Sequence, residues 1–232
     1  MDYRFFAIIV AGGSGKRMNS TTPKQFLLIN NKPIIVHTIE KFLQSAYSPE
    51  IVLVLSEKDQ HYWNELSKTS SLNTNYHFAS GGAERFFSVK NGLEKVNDLL
   101  KPREKAIIAI HDAVRPLVST ETIDKCFTAA KDKGNGISYA PSKDSVRIID
   151  PHTSSNRSVP RQQIALIQTP QSFDYDLLKK AYLQEYNENF TDDASVVEAA
   201  GYPINLVEGD VFNIKITYPE DIILAKTLLE ES

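Results

Sequence analysis

Apolar residues along the chain are concentrated in three short runs that contain no polar position. These runs cover residues 5–10 (FFAIIV), 51–55 (IVLVL) and 106–110 (AIIAI). Short unbroken runs of this kind, rich in β-branched residues, are typical of strands buried on both faces, as in a parallel sheet. We therefore predict three central strands at these positions.

Helical periodicity fills the stretches between the runs. A first helix is expected to begin at Pro33, and a second to cover residues 84–99 with apolar side chains along one face. A third is expected after the hydroxyl cap of Ser119, and the last at Pro219, a residue type favoured in the first turn. Because strands and helices alternate, the pattern predicts right-handed βαβ crossovers and an α/β fold: an open, mostly parallel sheet with helices on both faces.

Residues 141–168 interrupt this alternation. DSVRIID is typical of a short strand, PHTSSNRS of a turn and QIALIQT of a returning strand. The alternating apolar residues of these strands need burial, and no second hydrophobic core is visible to bury them. We therefore predict a β-arm that protrudes from a single domain of residues 1–232 and packs in a dimer interface. A sheet-edge excursion and a mobile loop are the alternatives.

Composition and charge narrow the class of protein. The chain has 232 residues, of which 41% are hydrophobic, so it can form a core without disulfides or a structural metal. The formal net charge of −3 argues against a globally basic nucleic-acid-binding protein. No apolar run approaches the length of a membrane span. The single Cys126 cannot form an internal disulfide, which fits the cytoplasm, and its helical context predicts a buried, inert thiol.

A glycine-rich turn and a group of cations follow the first run. The turn reads AGGSGKRM from Ala11, and PKQ follows at residues 23–25. Backbone N–H groups in such a turn can converge on an anion where side chains would obstruct them. The nearby cations Lys16, Arg17 and Lys24 favour triphosphate binding over a plain tight turn.

Competing motif classes fail at individual residues. The dinucleotide pattern GxGxxG needs a third glycine where Met18 stands, and the P-loop needs Ser or Thr where Arg17 stands. No serine lies in GxSxG, which leaves a hydrolase unsupported. The histidines lack metal-ligand spacing, so no protein-bound zinc is predicted. His111 beside Asp112 is expected to be structural, because adjacent strand residues point to opposite faces.

Taken in order, six segments resemble the 2-C-methyl-D-erythritol 4-phosphate cytidylyltransferase family, which uses CTP in non-mevalonate isoprenoid synthesis. They are AGGSGKRM with PKQ, then GGAER at residues 81–85 with Ser88, HDAVRP at 111–116, QTPQ at 168–171, TDDAS at 191–195 and NIK at 213–215. The resemblance spans nearly the whole chain. It implies a Rossmann-like nucleotidyltransferase fold.

The implied reaction is an in-line attack of a substrate phosphate on the α-phosphorus of CTP, with pyrophosphate leaving. The attacking phosphate is already anionic near neutral pH, so the enzyme must mainly stabilise charge and orient two anions. By resemblance, Arg17 and Lys24 would stabilise the transition state, and Arg161 and Lys215 would position the substrate phosphate.

The resemblance also divides the binding residues between the two substrates. The nucleotide set is Ala11, Gly12, Gly13, Gly15, Lys16, Gly81, Gly82, Ala83 and Ser88. Many relatives carry Asp where this chain has Ala83, so cytosine preference depends on whether backbone or carboxylate makes that contact. The set for the phosphopolyol substrate is Asp112, Arg115, Thr169 and Thr191. The alternatives are a structural Asp112–Arg115 pair and a helix cap formed by Thr191 and Asp192.

Cofactor and assembly follow from the same resemblance. Mg²⁺ would be held mainly by the CTP phosphates, with no direct protein ligand and Asp112 as the candidate contact through water. A homodimer is implied in which the arm crosses to the neighbouring subunit, so that Arg161 and Thr169 complete the neighbour's site. Pro160 stands where many relatives have Asp, which bears on how the arm enters that site. Neither a nucleic acid nor a membrane is an expected partner.

Three other functions remain open. Ribitol-5-phosphate cytidylyltransferase shares HDAVRP and QTPQSF with this chain. A nucleotide-binding module without turnover would keep the fold, although it would have little need for all four catalytic cations. A redox Rossmann protein is more distant because the glycine pattern fails.

Overall fold

The computed structural model describes residues 3–12, 18, 22–67 and 76–230. Its strands are β1 (Tyr3–Val10), β2 (Leu28–Ile29), β3 (Lys32–Pro33), β4 (Glu50–Leu55), β5 (Tyr76–Ser80), β6 (Lys105–Asp112), β7 (Asn135–Pro141), β8 (Val146–Ile149), β9 (Asn156–Val159), β10 (Ala165–Asp174) and β11 (Leu206–Glu208). Its helices are α1 (Ile34–Leu43), α2 (Glu57–Ser67), α3 (Arg85–Leu99), α4 (Thr120–Lys133), α5 (Tyr175–Ala181), α6 (Asp193–Ala199) and α7 (Pro219–Glu230).

A seven-stranded sheet in the order β11-β7-β10-β6-β1-β4-β5 forms the centre of the molecule. The three predicted strands are confirmed as β1, β4 and β6, and they are adjacent and parallel. Only β10 runs antiparallel to its two neighbours in this sheet. Val10 pairs with both Val54 and Asp112, so the carboxyl ends of these strands lie at one edge. Ligands bind at this edge in open α/β sheets.

Two hydrophobic layers explain why the apolar runs are unbroken. Phe6 and Ile8 of β1 pack in the layer beneath α3, α5 and α6. Ala7 and Ile9 pack in the opposite layer with residues of α1, α2 and α4. Since successive strand residues point to opposite faces, helices on both faces require apolar residues at every position.

The predicted helix starts are confirmed by the backbone. Pro33 directly precedes α1, and α7 begins at Pro219. The Ser119 hydroxyl accepts a hydrogen bond from Thr122 N and caps α4. Cys126 of α4 is fully buried, and burial raises the pKa of its thiol to about 12, in agreement with an inert core residue.

The predicted outward strand of the arm is present as β8, but the segment predicted to return beside it does not pair with β8. β8 pairs with β9, with Val146 opposite Val159. The segment QIALIQT instead enters β10 of the central sheet, where Ala165 pairs with Pro141. Residues 165–167 of β10 pair with β7 alone, and residues 171–173 pair with both β7 and β6, so the strand runs from the sheet margin into its interior. The protruding hairpin therefore ends before residue 165, and Ile148 and Ile149 on it are exposed.

None of the helices in the described part of the chain is both long and apolar enough to cross a membrane.

Candidate functional site

A cleft of about 380 Å³ opens at the carboxyl edge of β1 and β6. It brings together many of the residues predicted from the sequence: Ala11, Gly12, Lys24, Gly82, Ala83, Ser88, Asp112 and Lys215. It also contains residues that the sequence analysis did not assign to the site: Val10, Gln25, Glu84, Arg85 and Val114. The predicted residues Gly13, Gly15, Lys16 and Arg17 lie outside the described part of the chain.

One wall of the cleft is a tight turn between β5 and α3. Gly81 N donates to Leu55 O at 2.9 Å, which fixes the turn to the end of β4. The Ser88 hydroxyl is buried; it accepts from Gly82 N at 3.0 Å and donates to Glu84 O at 3.2 Å. Ser88 therefore shapes the turn from inside, while Ala83 at its tip is exposed.

Asp112 lies at the base of the cleft among three cations. Lys215 Nζ is 3.0 Å and Arg115 Nε 3.3 Å from its Oδ2, while Arg85 Nε is 3.8 Å from its Oδ1. Burial raises the pKa of this carboxyl, but the charges of Lys215, Arg85 and Arg115 outweigh burial and hold the pKa well below its usual range. Asp112 is therefore ionised at neutral pH.

Asn213 fixes the loop that carries Lys215. This fully buried side chain donates from Nδ2 to Thr169 O at 2.8 Å and to Gln168 Oε1 at 3.2 Å. Its backbone carbonyl accepts from Arg115 Nη1 at 2.8 Å. The QTPQ, HDAVRP and NIK segments are thus one hydrogen-bonded unit, and Arg115 has a structural partner in addition to Asp112.

Arg85 joins two segments that are far apart in the sequence. It donates to both carboxylate oxygens of Asp193, a partner 108 residues away. Tyr182 also donates its hydroxyl to Asp193, at 2.6 Å. Arg85 and Asp193 lie in the GGAER and TDDAS segments, but the sequence does not indicate that they pair, because no periodicity or spacing links residues so distant.

Five predicted residues within the described part of the chain are not among those that line the cleft: Gly81 and Arg115, described above, and Thr169, Arg161 and Thr191. Thr169 does not sit on the arm; it belongs to the central sheet, where its Oγ1 accepts from Asp112 N at 3.1 Å. The Thr169 hydroxyl thus contacts Asp112 of its own chain, whereas the expectation was that Thr169 completes the neighbour's site. Arg161 is exposed near the hairpin and donates to Lys143 O at 3.0 Å. Thr191 is exposed, and its neighbour Asp192, not Thr191, provides the side-chain cap of α6.

His111 is confirmed as a structural residue. It is fully buried, and its Nε2 lies 3.2 Å from Arg115 O, to which it donates. Burial lowers the pKa of His111 to about 4, so the ring is neutral at physiological pH.

Stability is expected to fall as the pH drops from 6.5 towards 4. A histidine in the unfolded chain takes up a proton near 6.5, whereas His111 stays neutral down to about 4. The unfolded state therefore binds more protons in this window, at a cost of about 1.4 kcal/mol per pH unit. The free energy of unfolding, measured by chemical denaturation at about pH 7 and about pH 5, should change less with pH in His111→Asn than in the wild type. An equal change in the two proteins would contradict the low pKa of His111.

The described residues contain no group of three or more His, Cys, Asp or Glu side chains placed to hold a metal. Within the cleft, both oxygens of Asp112 face cations, and Glu84 is exposed. The charges of the described cleft residues are therefore suited to anionic ligands.

Comparison with known proteins identifies one family. The family model for 2-C-methyl-D-erythritol 4-phosphate cytidylyltransferase matches residues 5–231. A protein of that name from Bacteroides fragilis is 46% identical over 96% of this chain and 98% of its own length. Another, from Porphyromonas gingivalis, is 43% identical over 99% of each chain.

Solved structures are similar over the same extent. The 4-diphosphocytidyl-2C-methyl-D-erythritol synthase of Anaerococcus prevotii has a TM-score of 0.81 and 29% identity, covering 98% of this chain and 99% of its own. The 2-C-methyl-D-erythritol 4-phosphate cytidylyltransferase of Thermus thermophilus has a TM-score of 0.74 at the same identity and coverage. Relatives and structures thus agree on one family and on the nucleotidyltransferase fold.

Proposed function

The chain belongs to the 2-C-methyl-D-erythritol 4-phosphate cytidylyltransferase family, and we propose that its cleft transfers CMP from CTP to methylerythritol 4-phosphate, releasing pyrophosphate. The observation that carries this proposal is the cation cluster around Asp112, which shares one cleft with the Gly82 turn. A nucleotidyl transfer needs a place where two anions can meet. Cations at the bottom of the cleft provide such a place because they offset the repulsion between the anions.

The residues divide the work by position. The Gly81–Gly82 turn, braced by Ser88, presents backbone groups to the cytosine ring at one wall. Lys24, which also lines the cleft, stabilises the charge that builds on the α-phosphate. Lys215 orients the attacking phosphate of the second substrate, and its Nζ stays directed into the cleft through its contact with Asp112. Arg17 shares the role of Lys24 in this proposal.

Mg²⁺ is part of the proposal as an ion carried by the nucleotide. Magnesium keeps several of its waters and binds phosphate oxygens readily, so it needs few protein ligands. Asp112, with cations on both oxygens, suits contact with the hydrated ion through water more than direct ligation. When bound, the ion neutralises part of the triphosphate charge.

The proposed assembly is a homodimer in the cytoplasm in which the arm supplies Arg161 to the neighbouring subunit. Within one chain, the described residues that line the cleft do not include Arg161. The arm also exposes Ile148 and Ile149, with 47% and 66% of their surface accessible, and a partner subunit would cover them.

The direct test is pyrophosphate release with CTP and Mg²⁺, comparing methylerythritol 4-phosphate, ribitol 5-phosphate and a blank without acceptor. Release with the first acceptor alone is expected. Release with ribitol 5-phosphate alone would support the cytidylyl transfer but refute methylerythritol 4-phosphate as the acceptor. If neither acceptor led to pyrophosphate release and CTP still bound tightly, the result would favour a nucleotide-binding module without turnover. A parallel series with EDTA tests the need for a divalent ion.

Gly82→Ala is expected to raise the KM for CTP much more than the KM for the second substrate. A Cβ at Gly82 would lie 2.9 Å from the backbone carbon of Phe87, so the turn would have to shift. The matched control is Gly201→Ala, which lies outside the cleft. Its Cβ would meet nothing within 4 Å, but the φ of +87° strains an alanine there, so this variant controls for a destabilised glycine turn outside the cleft. An unchanged KM for CTP in Gly82→Ala would remove this turn from nucleotide recognition.

A further inference from the structure

Asp193 lies outside the cleft but is joined to it through a single side chain. The carboxylate is fully buried at the start of α6. Arg85 donates to its two oxygens from Nη1 at 2.8 Å and from Nη2 at 2.6 Å, and Tyr182 donates its hydroxyl. A buried charge is costly unless it is paired and hydrogen-bonded, so these contacts hold Arg85 in one orientation.

The third nitrogen of Arg85 faces the cleft. Arg85 Nε lies 3.8 Å from Asp112 Oδ1, on the opposite carboxylate oxygen from Lys215 and Arg115. The Arg85 side chain is 28% exposed, whereas that of Asp193 is 0% exposed. The guanidinium therefore connects a buried anchor to the functional carboxylate, which its planar fork allows and a lysine ammonium would not.

We propose that Arg85 is a positioning residue for the transfer reaction, an inference that rests on the proposed function. Held by Asp193, Arg85 attracts Asp112 from the side away from Lys215. It thereby limits how strongly Asp112 pairs with Lys215 and leaves the Lys215 ammonium available to the substrate phosphate. Without Arg85, Asp112 would lose the cation beside its Oδ1 and pair more strongly with Lys215 and Arg115 at Oδ2.

The charges of this cluster allow a matched variant. Arg85, Arg115 and Lys215 set against Asp112 and Asp193 give a net charge of +1. Arg85→Met alone leaves Asp193 buried without its cation, and the variant is expected to be unstable. Arg85→Met combined with Asp193→Asn restores the net charge of +1, removes the buried unpaired carboxylate and keeps an acceptor for Tyr182. The double variant therefore lacks Arg85 without the instability of an unpaired buried charge, so the effect of Arg85 on the reaction can be measured separately from its effect on stability.

The double variant is expected to melt well above Arg85→Met alone, yet its kcat should be about tenfold below that of the wild type, equivalent to about 1.4 kcal/mol. The KM for CTP should change little. Leu93→Ala is the control, because it weakens the buried face of the same helix without lining the cleft. Its kcat should stay near the wild-type value below its melting temperature. If kcat and melting temperature recover together in the double variant, Arg85 is only structural and the proposal is wrong.

A second measurement needs no turnover. The rate at which acetic anhydride acylates Lys215, followed by mass spectrometry with exposed Lys226 as internal reference, reports how tightly Asp112 holds the ammonium. Lys215 should react severalfold more slowly in the double variant than in the wild type. An unchanged ratio overturns the proposal. A wild-type chain that releases no pyrophosphate would refute the proposed function, and the acylation ratio would still decide the role of Arg85.

Discussion

Replacing Lys215 by Met should lower kcat by at least about a hundredfold, because removing one preorganised charge from a transition state typically costs about 3 kcal/mol. Lys215 reaches into the cleft, 3.0 Å from Asp112, and the NIK loop that carries it is fixed by buried Asn213. The side chain is therefore held in place before substrate arrives. The measurement is steady-state kinetics with each substrate varied in turn.

Lys226→Met is the matched control for this substitution. Lys226 is an exposed lysine of α7, 4.0 Å from Glu230, and should leave kcat unchanged when replaced. If Lys215→Met raised the KM for the phosphopolyol with kcat preserved, Lys215 would bind the ground state and transition state equally. The same kinetic measurement applies to Lys24→Ala, in which kcat is expected to fall by a larger factor than the affinity for CTP.

Mixing Arg161→Ala subunits with Lys24→Ala subunits should restore about a quarter of wild-type activity from two preparations that are each inactive. If the arm crosses, one site of every mixed dimer has both Lys24 and Arg161. Half of the dimers formed by random exchange are mixed, and half of their sites are intact. The exposed position of Arg161, away from its own cleft, supports this arrangement.

The control mixes Lys24→Ala with Lys215→Met. Both of these residues line the cleft of the same chain, so every site in a mixed dimer lacks one of them and no activity should return. Native mass spectrometry of differently tagged subunits verifies the exchange in both mixtures. If Arg161→Ala and Lys24→Ala failed to complement despite exchange, each site would be self-contained.

The hairpin shows where local pattern stops being informative. Alternating apolar residues in QIALIQT are equally compatible with an arm strand and with the first residues of a central strand. The structure gives Ala165–Asp174 to the central sheet, where residues 165–167 pair with β7 and residues 171–173 pair with both β6 and β7. Register between distant strands is a property of the whole sheet, so no window of sequence contains it.

The cleft shows a similar division. The glycine turn, the cations after the first apolar run and the strand-end Asp112 follow from the sequence pattern, since those strand ends meet at one edge of a parallel sheet. Gly82, Ser88 and Lys215 are expected at the site only through the family resemblance. The roles of Arg85 and Asp193 could not be found in this way. Their pairing depends on α3 and α6 packing on the same face of the sheet.

The sequence by itself determined the strand–helix alternation, the starts of the main helices and the charged character of the site. These features follow from short-range periodicity, from capping and from the composition of single segments. Only the tertiary structure decided which strand borders which, that Thr169 sits behind Asp112, and that Arg85 links Asp112 to Asp193. Those contacts join residues that are distant along the chain, and their geometry is set when the sheet and its helices pack together.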